Sequence, residues 1–207
     1  MTPRNILLLM LAACILAGCL SRKDTTRFYV LTAPPPPAKT AESGRPFMVG
    51  VRITSADYLR TREMIVEAGP NQLLLSEANR WEEMPQAGFS RVLSARLAQD
   101  VPDCDLAPLP LATTNTPEFS VEIDLRSLQG RLSLKGEAEV SAELRILDAR
   151  GRLAERDELS KTSPWNTASA LGVRYSSLAA AESQAAADLA DDIARKIKAY
   201  HRKVTGP

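Results

Sequence analysis

A single histidine, His201, stands in a chain of 207 residues. That scarcity starves most metal and nucleophile chemistry. There is no His-Glu-x-x-His, no pair of Cys-x-x-Cys motifs and no histidine to serve a Ser-His-Asp triad outside a basic C-terminal stretch. Cysteine is nearly as scarce. Of three, Cys14 and Cys19 lie near the N-terminus, so Cys104 stands alone and no intrachain disulfide framework follows once the leader is removed. Cys104 reads as a packed or partly exposed thiol. A catalytic thiolate usually has a His partner, and His201 is too far along the chain to be paired with it. No Gly-rich phosphate loop ending in Lys-Ser or Lys-Thr occurs, so the chain is not itself an ATPase. Charge bias is missing too: 26 basic side chains face 25 acidic ones, and removing residues 1–18 takes away only Arg4. A balanced chain offers no basic footprint, and nucleic acid is not expected as a partner. Carboxylates are plentiful, but no spacing singles out a pair for acid–base work. Glu82-Glu83 beside Trp81 reads as a solvated helix start. A binding module or structural subunit, and not an enzyme, is the expected class, with no cofactor. What is present is ordinary globular composition, 44% apolar and 25% charged, with no internal repeat.

Residues 1–18 read as a secretory signal. Arg4 supplies the positive start, and Ile6 to Leu16 is an apolar run of 11 residues. Spanning a bilayer takes roughly 20, so a transmembrane anchor is the weaker reading. Leu16-Ala17-Gly18-Cys19 looks like the lipobox of bacterial lipoproteins. The thiol of Cys19 takes a diacylglycerol and, after cleavage, the freed amine takes a further acyl chain such as palmitate. The competing reading is an ordinary secretory signal with an incidental Cys. At about 0.8 kcal/mol per buried methylene, two or three chains make a stable anchor. Leu20 stands where many Gram-negative lipoproteins carry an Asp that retains them at the inner membrane. Its identity resembles the outer-membrane class, so the periplasmic face of the outer membrane is the expected location.

Residues 19–27 read as a lipidated tether, 28–203 as one globular domain and 204–207 as a tail. Phe28-Tyr29-Val30-Leu31 is a short strand candidate. The segment 32–46 carries Pro34-Pro35-Pro36-Pro37, which favours a stiff polyproline II spacer over a ligand for an SH3-type domain. Phe47 to Ile53 reads as a strand, and Tyr58 and Leu59 as a loop. Glu63–Glu67 and Gln72–Ser76 flank the turn signal Gly69-Pro70-Asn71 as a hairpin. Pro85 suits the first turn of a helix running to about Asp100, with Phe89, Val92, Leu93, Arg96 and Leu97 on one face. Residues 101–117 read as a proline-rich loop, with room for a short strand.

Phe119, Val121, Ile123 and Leu125 alternate with polar residues, as do Ala138, Val140, Ala142, Leu144 and Ile146. Each strand buries one face and wets the other. A turn at Asp148-Ala149-Arg150-Gly151 leads to a third strand from Arg152 to about Lys161, closing a meander. Tyr175 to about Lys203 is a long helix, with Leu178, Ala181, Ala185, Leu189, Ile193, Ile197 and Tyr200 along one stripe. Its acidic residues precede its basic ones, which suits the helix dipole; contact of the basic end with lipid headgroups is the other reading. The expected fold is an α+β, or α/β, sandwich: a mixed, largely antiparallel sheet with two main helices packed on it.

Three segments together are specific. They are Arg27-Phe28-Tyr29-Val30-Leu31; Asp57-Tyr58-Leu59-Arg60-Thr61-Arg62-Glu63-Met64-Ile65-Val66; and Asn79-Arg80-Trp81-Glu82-Glu83, leading to Arg91-Val92-Leu93. The chain resembles the PqiC-like family of ABC-type transport auxiliary lipoproteins, subunits of membrane-integrity-associated transporters. The departures are Ala56 and Thr61 where prolines are usual, and Glu82 where Ala is common. The first two relax the loop that holds Tyr58.

The resemblance implies a role beside an MCE-type system, in which a permease, an ATPase and a bridging periplasmic MCE protein move lipids or hydrophobic molecules between membranes. The lipoprotein would be the docking component at the outer membrane, with a homo-oligomer open. Tyr58, Leu59, Arg60, Arg62 and Trp81 are the contact candidates, since aromatics and Arg are enriched at interface hot spots, although an aromatic such as Trp81 at a strand-to-helix junction usually packs in the core. A lipid carrier needs an apolar cavity of several hundred Å3, and small residues such as Ala138 and Ala142 favour close helix–sheet packing instead. A purely structural envelope lipoprotein is the third reading.

Overall fold

In a computed structural model of the chain, residues 25–32, 46–110, 116–132, 136–168 and 171–206 are described. The leader, Cys19 and most of the proline-rich segment lie outside them. Eight strands form one mixed sheet, and two helices cover one of its faces. The fold is α+β.

The centre is β6, Phe119–Arg131, flanked along its whole length by β7, Glu137–Leu147, which pairs in turn with β8, Leu153–Pro164. These three make the antiparallel meander that strict alternation dictates. On its other side β6 meets two partners in succession. Its first half lies parallel to β2, Phe47–Ser55, and its last residues lie parallel to β3, Glu63–Gly69. Beyond β2 comes β5, Cys104–Pro108, also parallel; beyond β3 comes β4, Gln72–Trp81, antiparallel, and then the short parallel β1, Arg27–Tyr29. The sheet therefore forks where β2 ends and β3 begins. A single 3-10 turn, Asp57–Leu59, occupies the fork.

α1, Pro85–Asp100, starts on its proline, whose missing N–H costs nothing at that position. Phe89, Val92, Leu93 and Leu97 are buried. α2 runs from Leu171 to Thr205 across β6, β7 and β8 and packs beside α1. Its stripe, Leu178 through Ile197, is buried, and small buried side chains on both elements, Ala185 among them on the helix and Ala138 and Ala142 on β7, suit a close approach of helix and sheet. At the end of β6 the close approach is sharper. A Cβ on Gly130 would stand 2.8 Å from Leu178 and 3.1 Å from Trp165. Arg96 of α1 and Asp191 of α2 form an ion pair across the helix pair at 3.3 Å. Burial raises the Asp191 carboxyl above its usual range despite Arg96.

β4 runs on to Trp81, five residues past the strand expected at Gln72–Ser76, because β1 and Arg62 supply partners for that stretch. Likewise β6 continues six residues past Leu125. The alternation breaks there because a bulge between Leu125 and Ser127 shifts the buried side chains by one position, to Leu128.

Candidate partner-binding surface

The three sequence segments singled out above lie side by side. Tyr29 pairs with Trp81 and Phe28 with Arg80 across β1 and β4. The Tyr29 hydroxyl donates to Asn79 Oδ1 at 3.2 Å, and the Glu82 N–H donates to the Tyr29 carbonyl at 2.8 Å. The Trp81 N–H donates to the Arg62 carbonyl at 2.6 Å, and Arg80 pairs with Glu63 at 3.7 Å. Arg91 Nη2 reaches back to the Leu31 carbonyl at 2.8 Å while Glu83 Oε1 holds the same guanidinium at 2.6 Å. Leu31 itself is buried against Gly88 of α1, where a Cβ would stand 3.0 Å from its methyl. Most of the motif is thus a clasp that ties the chain's start to the sheet and to α1.

The clasp sorts the five contact candidates. Leu59 and Trp81 are 1% and 2% exposed and belong to the core, which removes their side chains from any contact surface. Tyr58, Arg60 and Arg62 stay outside. Arg60 leans on Asp57 at 3.3 Å, and Arg62 has no side-chain ion pair among the described residues. The Tyr58 ring lies on the sheet face opposite the helices. Its hydroxyl donates to the Arg126 carbonyl at 2.7 Å and sits 3.2 Å from Gln129 Oε1. Burial, then Glu139 and Glu67, push the phenol above its ordinary value, so it stays a neutral donor.

That open face carries a lattice of ion pairs. Glu122 holds Arg145 at 2.7 Å and Arg52 at 3.6 Å. Glu143 holds Arg126 at 2.7 Å and Arg156 at 3.0 Å, and these guanidiniums, Arg126 first, keep its carboxyl below the usual range. Arg131 bridges Glu139 and, at 3.1 Å, Glu67. The carboxylates lie low and the guanidiniums stand over them, about half exposed. Such paired charges contribute little stability each, and the arrangement is a polar surface with arginine guanidiniums outward.

A family model for the ABC-type transport auxiliary lipoprotein component matches residues 29–194. The chain belongs to that family. A protein of Xanthomonas campestris shares its fold, with a TM-score of 0.71 and 12% identity over 87% of this chain and 100% of the other. An uncharacterised protein of known crystal structure aligns with a TM-score of 0.65 and 17% identity over 84% of this chain and 99% of its own. A search of curated proteins finds no match.

The lipoprotein also has a feature its sequence did not announce, a groove of about 650 Å3 between α1 and the β2–β5 edge. Val51, Ile53, Met84, Leu93, Leu106 and Leu109 give it apolar walls, interrupted by Arg52, Gln86, Ser90 and Ser94. The small residues of β7 do favour close packing, but under α2; the groove opens on the β2–β5 arm of the sheet, where β5 is short.

Cys104 and His201 come nearer than their separation in sequence implied, since Cys104 pairs in register with Phe47 and His201 stacks on the Phe47 ring at 3.6 Å between centroids. The imidazole Nδ1 turns to Glu118 at 3.2 Å. Burial pushes the Cys104 thiol up to about 12, so it is protonated at neutral pH and a poor nucleophile. Geometry and burial, not distance along the chain, keep the two apart chemically. Among the described residues no His, Cys, Asp and Glu side chains gather as a metal site.

Proposed function

We propose that this auxiliary lipoprotein is the docking subunit of an MCE-type intermembrane transport system for lipids or other hydrophobic molecules, anchored through acyl chains on Cys19 to the periplasmic face of the outer membrane. The observation that carries the reading is the position of β1. Arg27 is already paired to Asn79, so the link from the lipidated residue to the sheet is no longer than the stretch from Cys19 to Arg27. The eight residue-to-residue steps from Cys19 to Arg27 span at most about 29 Å. A domain held so close to one membrane is placed to receive a partner that crosses the periplasm rather than to ferry cargo across it. The open polar face beside Tyr58, Arg60 and Arg62 supplies a surface for that partner.

Arg60→Glu with Arg62→Glu is expected to weaken co-purification with an MCE-domain protein encoded nearby. The loss should be on the order of tenfold, which about 1.4 kcal/mol produces. The melting temperature should stay unchanged, since both side chains are exposed. Undiminished co-purification would place the contact elsewhere.

The groove favours a second reading, a carrier that shelters a hydrophobic ligand, because its volume falls within the range of ligand sites. It is an open trough with polar side chains on its walls, less suited to enclosing an acyl chain. Phospholipid extracted in stoichiometric amount by the purified protein would favour the carrier.

A further inference from the structure

The β3–β4 hairpin ends in a surface no soluble strand pair needs. Leu73, Leu74 and Leu75 are consecutive, so they point to both faces of β4, and all are exposed, at 37%, 45% and 49%. A strand lying on a core would bury every second one. The Leu132 N–H donates to the Glu67 carbonyl, opposite Leu73, and adds a fourth leucine that is 42% exposed. Among the described residues the outer edge of β4 is covered by β1 only at Asn79–Trp81, and these residues leave its leucines on an open edge.

The described chain begins at this edge. β1 is parallel to β4, so the residues before Arg27 approach from the side of the hairpin turn. Thr25 lines the same shallow hollow as Ser76, Glu77 and Ala78. Cys19 stands eight positions before Arg27, and Asn71, in the hairpin turn, stands eight positions before Asn79, the residue paired with Arg27. The tether therefore has the length needed to bring the lipidated residue level with the hairpin tip. The opposite end of the molecule, the turn joining β7 to β8, pairs near Ser120 at the start of β6, whereas the hairpin pairs near Arg131 at its end. Eleven residues of strand separate them, about 36 Å at 3.3 Å per residue.

We propose that the β3–β4 hairpin tip is a second membrane contact, with Leu73, Leu74, Leu75 and Leu132 resting in the headgroup–acyl boundary of the bilayer that holds the lipid on Cys19. A contact at the tip beside a short tether fixes the orientation of the domain, with the hairpin end on the membrane and the β7–β8 turn away from it. It rests on the anchor at Cys19 but not on the identity of the transport partner.

The test uses the full-length lipidated protein with Cys104→Ser, carrying Leu74→Cys or, as a control, Ala149→Cys, each labelled with an environment-sensitive fluorophore. The protein is reconstituted in phosphatidylethanolamine–phosphatidylglycerol vesicles with or without nitroxide-labelled lipid. The fluorophore at position 74 should shift to the blue and lose roughly half its emission to the nitroxide, as a group at interfacial depth does, while that at 149 is unaffected. Equal behaviour at 74 and 149 would overturn the contact. So would a blue shift at 74 without lipid quenching, which would mean the leucines are covered by a second copy or another protein. Flotation with the vesicles reads the anchor separately. Loss of flotation removes anchor and hairpin contact together, and flotation with an unquenched probe at 74 removes the hairpin contact alone.

Discussion

Glu182 has no exposed surface, and neither of its carboxyl oxygens finds a hydrogen-bond partner among the described residues. Burial pushes its pKa well above the ordinary carboxylate value of 4.5. The unfolded chain therefore releases this proton at a lower pH than the folded one. Below about pH 4.5 both states hold it and there is no penalty; as pH rises from there the native state loses stability, until the folded pKa is passed. Glu182→Leu is expected to gain on the natural chain as pH rises, by up to about 1.4 kcal/mol for each pH unit in that window. Denaturation at pH 4.5 and pH 7.5 checks this, and an unchanged difference between the two chains would mean that the carboxyl titrates alike in both states. Nothing in the local sequence marks Glu182 as buried. It sits in an acidic first half of the helix that reads as a solvated face, and only the tertiary packing of that turn places it inside. The same limit applies to Leu59 and Trp81: composition cannot tell a side chain that anchors a partner from one that packs in the core, and here both are buried.

Periodicity carried most of the elements. The stripe of α2 from Leu178 to Ile197 is buried as its 3.6-residue spacing requires, and the alternating strands β6 and β7 lie where their patterns put them. Ile193→Ala is expected to cost about 2–5 kcal/mol, since the side chain is fully buried between helix and sheet. A melting temperature that does not move would contradict the packing of this face. Where elements ran past their expected ends, a partner was responsible. β4 continues to Trp81 because β1 and Arg62 complete its hydrogen bonds, and β6 crosses a bulge that breaks its own alternation. β8 shows the converse. It is an edge strand with mostly polar side chains, and it was legible chiefly through the turn that precedes it.

At the scale of the whole molecule, the meander of β6, β7 and β8 could be read because its strands are neighbours in sequence. The parallel pairings of β2 and β3 with β6 could not, since they join segments some seventy residues apart. The forked sheet that results buries one face under two helices and leaves the other open, with Tyr58 lying across it. The anchor is a sequence-level statement, and it has its own check: Cys19→Ala is expected to leave the protein unprocessed or soluble, and normal membrane fractionation with acyl labelling intact would contradict it. The central claim is that a membrane-tethered, non-ferrying domain docks a bridging partner through the surface beside the 3-10 turn. It is tested most directly by placing a photo-reactive side chain at Asp57, which is exposed next to Tyr58 and Arg60, and irradiating intact cells. The account predicts a crosslinked adduct with an MCE-domain protein, lost when Arg60 and Arg62 are reversed in charge. An absence of any MCE adduct, together with stoichiometric phospholipid in the purified protein, would contradict it and leave the carrier in its place.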